Sequence, residues 1–227
     1  KMFEVEVQHQ IRHDNPCNGL RRLPQQQKEM DYYTPEQFKK FDSLFNEDEY
    51  PFQLLYRVLM YTGLRIGEAL ALTWEHINLD EMYIDVKYSA YYRNGQVHIG
   101  TVKTTQSNRR IYIHKSFNEE LKKWKERQFD LLKSFTDNSK SLQIYQATPE
   151  ILTSPNVSNF RVILKKRMPK DLKLIRNHDF RHSHAAFLVS QGLRNGEGKD
   201  YIFFTLMKRL GHSSINTTIN VYSHLFP

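Results

Sequence analysis

Leu210-Gly211-His212-Ser213-Ser214-Ile215-Asn216-Thr217-Thr218-Ile219-Asn220-Val221-Tyr222-Ser223-His224 is the stretch that decides how this chain reads. The periodicity predicts one helix over about 200–210, a Gly-His step, and a second helix over about 214–224 carrying Tyr222 near its end. Upstream, His178-Asp179-Phe180-Arg181-His182 opens a helix read over 178–191. Farther back stands Thr62-Gly63-Leu64-Arg65-Ile66-Gly67-Glu68, and Lys103 lies between two strand-like segments.

Two arginines, a lysine, two histidines and a tyrosine form a set suited to phosphoryl transfer onto a phenol without a metal ion. Breaking a phosphodiester with a side chain requires an attacking oxygen in line with the leaving one. It also requires stabilisation of charge on the equatorial oxygens and a proton for the departing oxygen. Arg65 and Arg181 suit the clamp, because a guanidinium makes bidentate contacts to phosphate and stays charged. Lys103 suits the general acid, His178 the proton acceptor, and His212 a hydrogen-bond donor to the phosphate. Tyr222 is the candidate nucleophile, and a phenol of ordinary pKa near 10 needs a base or a cationic pocket to react.

Taken singly, each residue has a plainer explanation. Arg65 reads as a surface arginine, Lys103 as part of a solvated strand edge with Arg109 and Arg110, Tyr222 as one of 13 tyrosines, and His212 as a helix-start residue. The joint order and spacing argue against these readings. Two rival classes stand beside the main one. His178 and His182 have the i, i+4 spacing of a zinc hydrolase, although Arg181 between them opposes a divalent cation. A DNA-binding module that kept the fold without the chemistry is the other.

Around these motifs the pattern is mostly helical. Thr34-Pro35-Glu36-Gln37 is a helix start with a capping residue, a first-position proline and a glutamine three residues after the cap. Helices follow over about 52–61, closed by Gly63 as a left-handed cap, and from Arg65 onward. Met82–Val86, Val97–Thr101 and Arg110–His114 alternate as strands, with Arg93-Asn94-Gly95 as a turn between the first two. That predicts a small three-stranded antiparallel sheet. Helices are expected again over 116–135 and 155–167, with loop between 134 and 145 and a breaker at Gly192–Gly198. Residues 1–31, interrupted by Asn15-Pro16 and Leu23-Pro24, read as the end of one unit and a linker, and residues 32–227 as the main domain. The segment Phe3–His13 reads as a strand or the last turns of a helix.

The chain has 227 residues, 39% of them hydrophobic, enough for one substantial core. A formal net charge of +8 points to a polyanionic partner, nucleic acid first and RNA or an anionic membrane surface after it. Lys165-Lys166-Arg167, Lys170 and Lys173 form a basic run that suits a phosphate backbone or equally a solvated helix end. Cys17 is the only cysteine, so neither an intrachain disulfide nor a cysteine-rich zinc site is possible. No apolar run of membrane-spanning length occurs, the N-terminus is too charged for a signal peptide, and a soluble, cytoplasmic, DNA-associated protein is expected.

The three motifs together resemble the catalytic domain of the tyrosine recombinase (phage integrase) family. The matching stretches are Tyr61–Leu70, His178–Ala185 and Leu210–Leu225, spread over residues 32–225. The resemblance implies the mainly helical fold of DNA breaking-rejoining enzymes, with a small antiparallel sheet. It implies that Arg65, Lys103, His178, Arg181 and His212 activate a phosphate while Tyr222 forms a 3′-phosphotyrosyl link, with no cofactor and no metal. It further implies double-stranded attachment sites as substrate, a homotetramer on DNA, possible accessory DNA-bending proteins, and integration or excision of a phage or other mobile element in a bacterium. A type IB topoisomerase-like relaxing enzyme and a Xer-like resolvase share the same residues. Two departures are visible: the 192–201 connection is longer than expected of relatives, and the tail after Tyr222 that in relatives packs on a neighbouring subunit is short. Residues 1–31 stand where the connection to N-terminal DNA-binding domains is expected.

Overall fold

Residues 2–20, 30–102 and 107–226 are described by the structure, a computed structural model. A helix α1 (Met2–Gln8) occupies the start, so the first part of Phe3–His13 is helix rather than strand and the rest, from His9, is turn and bend. Thr34 then caps α2 (Pro35–Asp42): its hydroxyl accepts from the Gln37 amide, and the Gln37 side chain accepts from the Thr34 N–H. The helix α3 (Tyr50–Thr62) ends at Gly63, whose φ of +67° is the left-handed cap expected there. A five-residue helix α4 (Ile66–Leu70) follows directly.

The strands differ from expectation in membership. Three strands do form an antiparallel sheet, in the order β1 (Ile77–Asn78), β2 (Tyr83–Val86), β5 (Arg109–Tyr112). Val97–Thr101, expected in that sheet, instead lies in β4 (Gln96–Thr101) and pairs only with β3 (Tyr88–Arg93). The physical reason is burial. Ile84 and Val86 alternate inward onto the core, whereas β3 and β4 contribute no buried residue and stand apart as a two-stranded ribbon. The turn at Asn94-Gly95 exists, with φ of +52° and +81°, but it closes this ribbon rather than linking it to β2. Tyr88–Tyr92, a run of aromatic and small residues without a buried face, gave no alternation from which to read a strand. Lys103 falls outside the described residues.

Five helices complete the fold: α5 (Lys115–Leu132), α6 (Ser154–Arg167), α7 (Asp179–Arg194), α8 (Lys199–Leu210) and α9 (Ile215–Tyr222). The breaker expected from Gly192 begins later, because Gly192 is itself helical and α7 ends at Asn195. A Cβ on Gly192 would stand 2.7 Å from Ile202 Cγ1, so the bare backbone is what lets α8 fold back against α7. The main core joins α2, α3, α5, α6 and the three-stranded sheet, with Phe180 of α7 in contact with Tyr33, Phe38, Phe41 and Tyr56 at ring separations of 5.0–6.3 Å. A second, smaller cluster of Ala185, Val189, Ile202, Phe203, Leu206, Leu210 and Tyr222 holds α7, α8 and α9 together. Helix α7 belongs to both, and α3 packs along it.

The ribbon rests on α4, where Gly67 permits the contact: a Cβ there would lie 2.6 Å from Ser89 Oγ and 2.8 Å from the Ala90 carbonyl oxygen. On a free helix surface Gly→Ala gains up to about 1 kcal/mol. Here Gly67→Ala is expected to lose about 1–3 kcal/mol, because a backbone carbonyl must move. Urea unfolding at equilibrium checks the sign.

Candidate active site

Arg181 sits at the centre. It lies in the first turn of α7, is 2% exposed, and donates from Nη1 to the Gly63 carbonyl at 2.8 Å and from Nη2 to the Leu210 carbonyl at 2.5 Å. Those carbonyls belong to the C-terminal ends of α3 and α8, each closed by a left-handed glycine, Gly63 and Gly211 at φ +67°. Terminal carbonyls lack intrahelical partners and carry the negative end of the helix dipole, so they suit a buried cation. Gly63 is required twice, since a Cβ there would also stand 2.6 Å from His184 Cδ2.

Arg65 follows that same turn as the N-cap of α4. Glu68, 3% exposed, accepts from the Arg65 backbone N–H at 2.9 Å and pairs with Arg65 Nη1 at 2.7 Å. Its other ion pair, at 2.9 Å, is with Arg109 Nη2, and Arg109 Nε donates to the Arg209 carbonyl at 2.7 Å. Arg209 in turn donates to His184 Nε2 at 2.8 Å, to the Tyr112 carbonyl at 3.1 Å and to the Tyr61 carbonyl at 3.2 Å. Burial alone would push the Glu68 carboxyl up, but Arg109 and Arg65 hold it below its ordinary value. The carboxylate near Arg181 is therefore already committed. Burial, then the charges of Arg65 and Arg109, lower the Arg181 pKa to about 10, so it stays protonated at neutral pH in a pocket with surplus positive charge.

Tyr222 ends α9, 1% exposed. Its ring packs in the smaller apolar cluster while its hydroxyl meets His182 Nδ1 at 3.1 Å. Burial raises the phenol above its ordinary pKa, and Arg181 and Arg65 pull the other way. His212 follows Gly211, bonds Thr218 Oγ1 through Nδ1 at 2.9 Å, and lies parallel to the Tyr222 ring with centroids 6.3 Å apart. His178 occupies the N-cap position of α7, without a capping bond from its side chain, and meets the His182 ring edge-on at 5.0 Å. Burial first, then neighbouring cations, lowers His212 to about 4; burial and the adjacent His178 do the same for His182. His178 is lowered by burial and by Arg181. All three imidazoles are thus neutral at physiological pH.

Five of the six expected residues, Arg65, His178, Arg181, His212 and Tyr222, come together; the sixth, Lys103, lies outside the described residues. One contact differs from expectation. The phenol is bonded to His182, not to His178, the histidine assigned from sequence as its proton acceptor. Helical spacing explains this, because position 182 lies one turn farther along α7, toward α9. Glu68, Arg109 and Arg209 were not singled out for a role. Arg109 had a readable signal: it shares the inward face of β5 with the buried Ile111, while Arg110 and Tyr112 face out. Among the described residues no group of three or more His, Cys, Asp or Glu side chains converges as for a metal ion. In the basic run, Arg167 is tied to Glu49 at 2.6 Å and Lys173 to Asp31 at 2.7 Å.

Residues 32–227 match the sequence signature of the Phage integrase family. The ICEBs1 integrase of Bacillus subtilis (strain 168) is 41% identical over the whole of this chain, which spans 59% of that protein's length. The integrase of Staphylococcus phage L54a is 28% identical over 72% of this chain and 45% of its own length. Among solved structures, the Tn1549 transposon integrase in complex with circular intermediate DNA superposes with a TM-score of 0.68 at 19% identity, covering 87% of this chain and 64% of that one. XerA recombinase superposes with a TM-score of 0.58 at 19% identity over 98% of this chain and 73% of that one. These superpositions bear out the mainly helical fold with its small antiparallel sheet.

Removing one partner from a buried ion pair strands the other charge, at a cost of about 3–5 kcal/mol. Glu68→Gln is expected to lose that much at neutral pH in urea unfolding. Because the folded-state carboxyl lies below its ordinary 4.5, its contribution is complete above that pH and fades as pH falls through the lower folded value. The variant's stability is therefore expected to fall less steeply than the parent's on acidification below 4.5.

Proposed function

The chain belongs to the phage integrase family, and from that membership we propose that it cuts and rejoins DNA through a covalent 3′-phosphotyrosyl intermediate at Tyr222. The observation that carries this reading is a buried Arg181 whose direct acceptors are two backbone carbonyls and whose charge acts on the Tyr222 phenol. Two helix ends supply the guanidinium with dipoles but no full negative charge, and a phosphodiester is the group whose charge fits.

In the proposed reaction the Tyr222 oxygen forms a bond to the scissile phosphorus and the bond from phosphorus to the 5′ oxygen breaks. Arg65, which is part exposed, and Arg181, which is buried, neutralise the equatorial oxygens from two sides. His212, fixed by Thr218, donates to the same phosphate, and Lys103 gives the leaving 5′ oxygen its proton. The phosphotyrosyl ester conserves the energy of the bond it replaces, so a 5′-hydroxyl reverses the attack without ATP. Glu68 and Arg109 set the angle at which Arg65 enters the pocket.

Residues 32–227 are the proposed catalytic domain, and residues 1–31 the connection to DNA-binding parts preceding it. Integrases of a mobile element, a phage and a transposon among its relatives support integration or excision as the role. Double-stranded attachment sites, a homotetramer on DNA and possible accessory DNA-bending proteins belong to the same proposal. Among the described residues no helix is long and apolar enough to cross a membrane, and a DNA-associated, cytoplasmic setting fits that role.

A nicked duplex that releases its short 5′ fragment on cleavage traps the covalent state. The parent chain is expected to give a denaturant-resistant protein–DNA adduct mapping to Tyr222. Tyr222→Phe should give none while binding the duplex as before, at a folding cost of about 1 kcal/mol for the lost hydrogen bond. An adduct of equal yield in the variant would refute the assignment.

A further inference from the structure

On the reading just given, we infer that His182 is the catalytic residue that takes the phenolic proton of Tyr222, and that His178 supports it. The geometry comes first. His182 Nδ1 stands 3.1 Å from the Tyr222 oxygen, inside the range for direct proton transfer. His178 meets the His182 ring edge-on at 5.0 Å, and among the described residues it makes no bond to Tyr222. The two rings are one helical turn apart on α7, and the one nearer α9 touches the reacting atom.

The tautomer follows from the contact. To accept, Nδ1 must carry its lone pair toward the hydroxyl, which places the ring proton on Nε2. The groups facing His182 are His178, Asp179, Arg181 and Arg176 along α7 and the turn before it, and Tyr222 from α9. The Asp179 carboxylate is held by Arg176, through its backbone N–H at 2.8 Å and Nη2 at 2.8 Å, so it is not free to neutralise the imidazolium in the absence of DNA. Arg181 adds a like charge. Burial first, then His178 and Arg181, keep His182 neutral until substrate arrives, the state a base must be in.

A phosphodiester clamped by Arg65 and Arg181 brings the missing negative charge. It offsets the cations that disfavour the imidazolium, so the base strengthens as the nucleophile is engaged. In the step itself the Tyr222 O–H bond breaks and its proton passes to His182 Nδ1 while the oxygen–phosphorus bond forms. The bond from phosphorus to the 5′ oxygen breaks, and that oxygen takes a proton from the general acid assigned to Lys103. Religation runs the same transfers backward, with His182 returning its proton to the phenol.

The test is single-turnover adduct formation on the nicked duplex across the pH range, for the parent chain and for His182→Asn, His182→Ala and His178→Asn. Asparagine keeps a hydrogen-bonding atom near the Nδ1 position but is no base. His182→Asn is expected to slow the adduct by about 10²–10⁴-fold with DNA affinity unchanged, and to lose the acidic limb of the pH profile. His182→Ala should regain rate in added imidazole, which a purely structural role would not allow. A substrate with a 5′-bridging sulfur, which departs without a proton, should leave the His182 defect in place. His178→Asn should keep the acidic limb. Cleavage by His182→Asn within about threefold of the parent would overturn the inference, as would loss of the acidic limb from His178→Asn alone. If His182→Asn fails to fold by thermal melting, His182→Gln carries the same comparison. If the parent chain itself forms no adduct, the recombinase reading fails and takes this one with it.

Discussion

A guanidinium held in the interior by two helix ends is the constraint on which the rest of this structure depends. Arg181 cannot be buried without acceptors, and the acceptors it has are the terminal carbonyls of α3 and α8. That requirement dictates where both helices stop. Each ends on a glycine in the left-handed region, which turns the chain away and leaves a carbonyl pointing at the guanidinium. Arg65 follows one of those turns and His212 the other. Two residues far apart in sequence are therefore placed by a single side chain that touches both connections.

The second support is ionic. Glu68 would be an expensive carboxylate to bury alone, and it is stable because Arg109 and Arg65 both bond it. Arg109 then reaches the backbone of Arg209, and Arg209 reaches carbonyls of Tyr61 and Tyr112 and the ring of His184. This chain of bonds runs from α4 through β5 to the last turn of α8 and the end of α3. It crosses from the larger core to the smaller cluster that holds Tyr222, alongside the apolar bridge that α7 makes by belonging to both. Polar bonds add to the registration that α7 provides, and the surplus positive charge is what they leave over.

Much of this was legible in the sequence, and what was not has identifiable causes. The Thr34 cap, the left-handed Gly63 and the turn at Asn94-Gly95 follow from local chemistry that a few residues determine. The grouping of Arg65, Arg181, His212 and Tyr222 was readable from motif order. Which strands share a sheet was not, because pairing is decided by which faces find a core, and Tyr88–Tyr92 shows no alternation between the two faces. Nor was the choice between His178 and His182: both lie one turn apart on the same helix, and only the position of α9 separates them. Glu68 and Arg109 have charges that suggest surface, and their interior role appears only when the inward faces of α4 and β5 are brought together.

The same burial that positions the groups also keeps them at rest. A low-dielectric pocket raises the phenol of Tyr222 and lowers three imidazoles, so every titrating member is held neutral beside arginines that cannot be. The free site is consequently unbalanced, with Arg65, Arg109 and Arg181 sharing the buried carboxylate of Glu68 and a phenol held neutral. One added anion reverses each of these tendencies at once, because it neutralises the arginines and favours the charged imidazole. On the proposed reading, binding and activation are then a single electrostatic event.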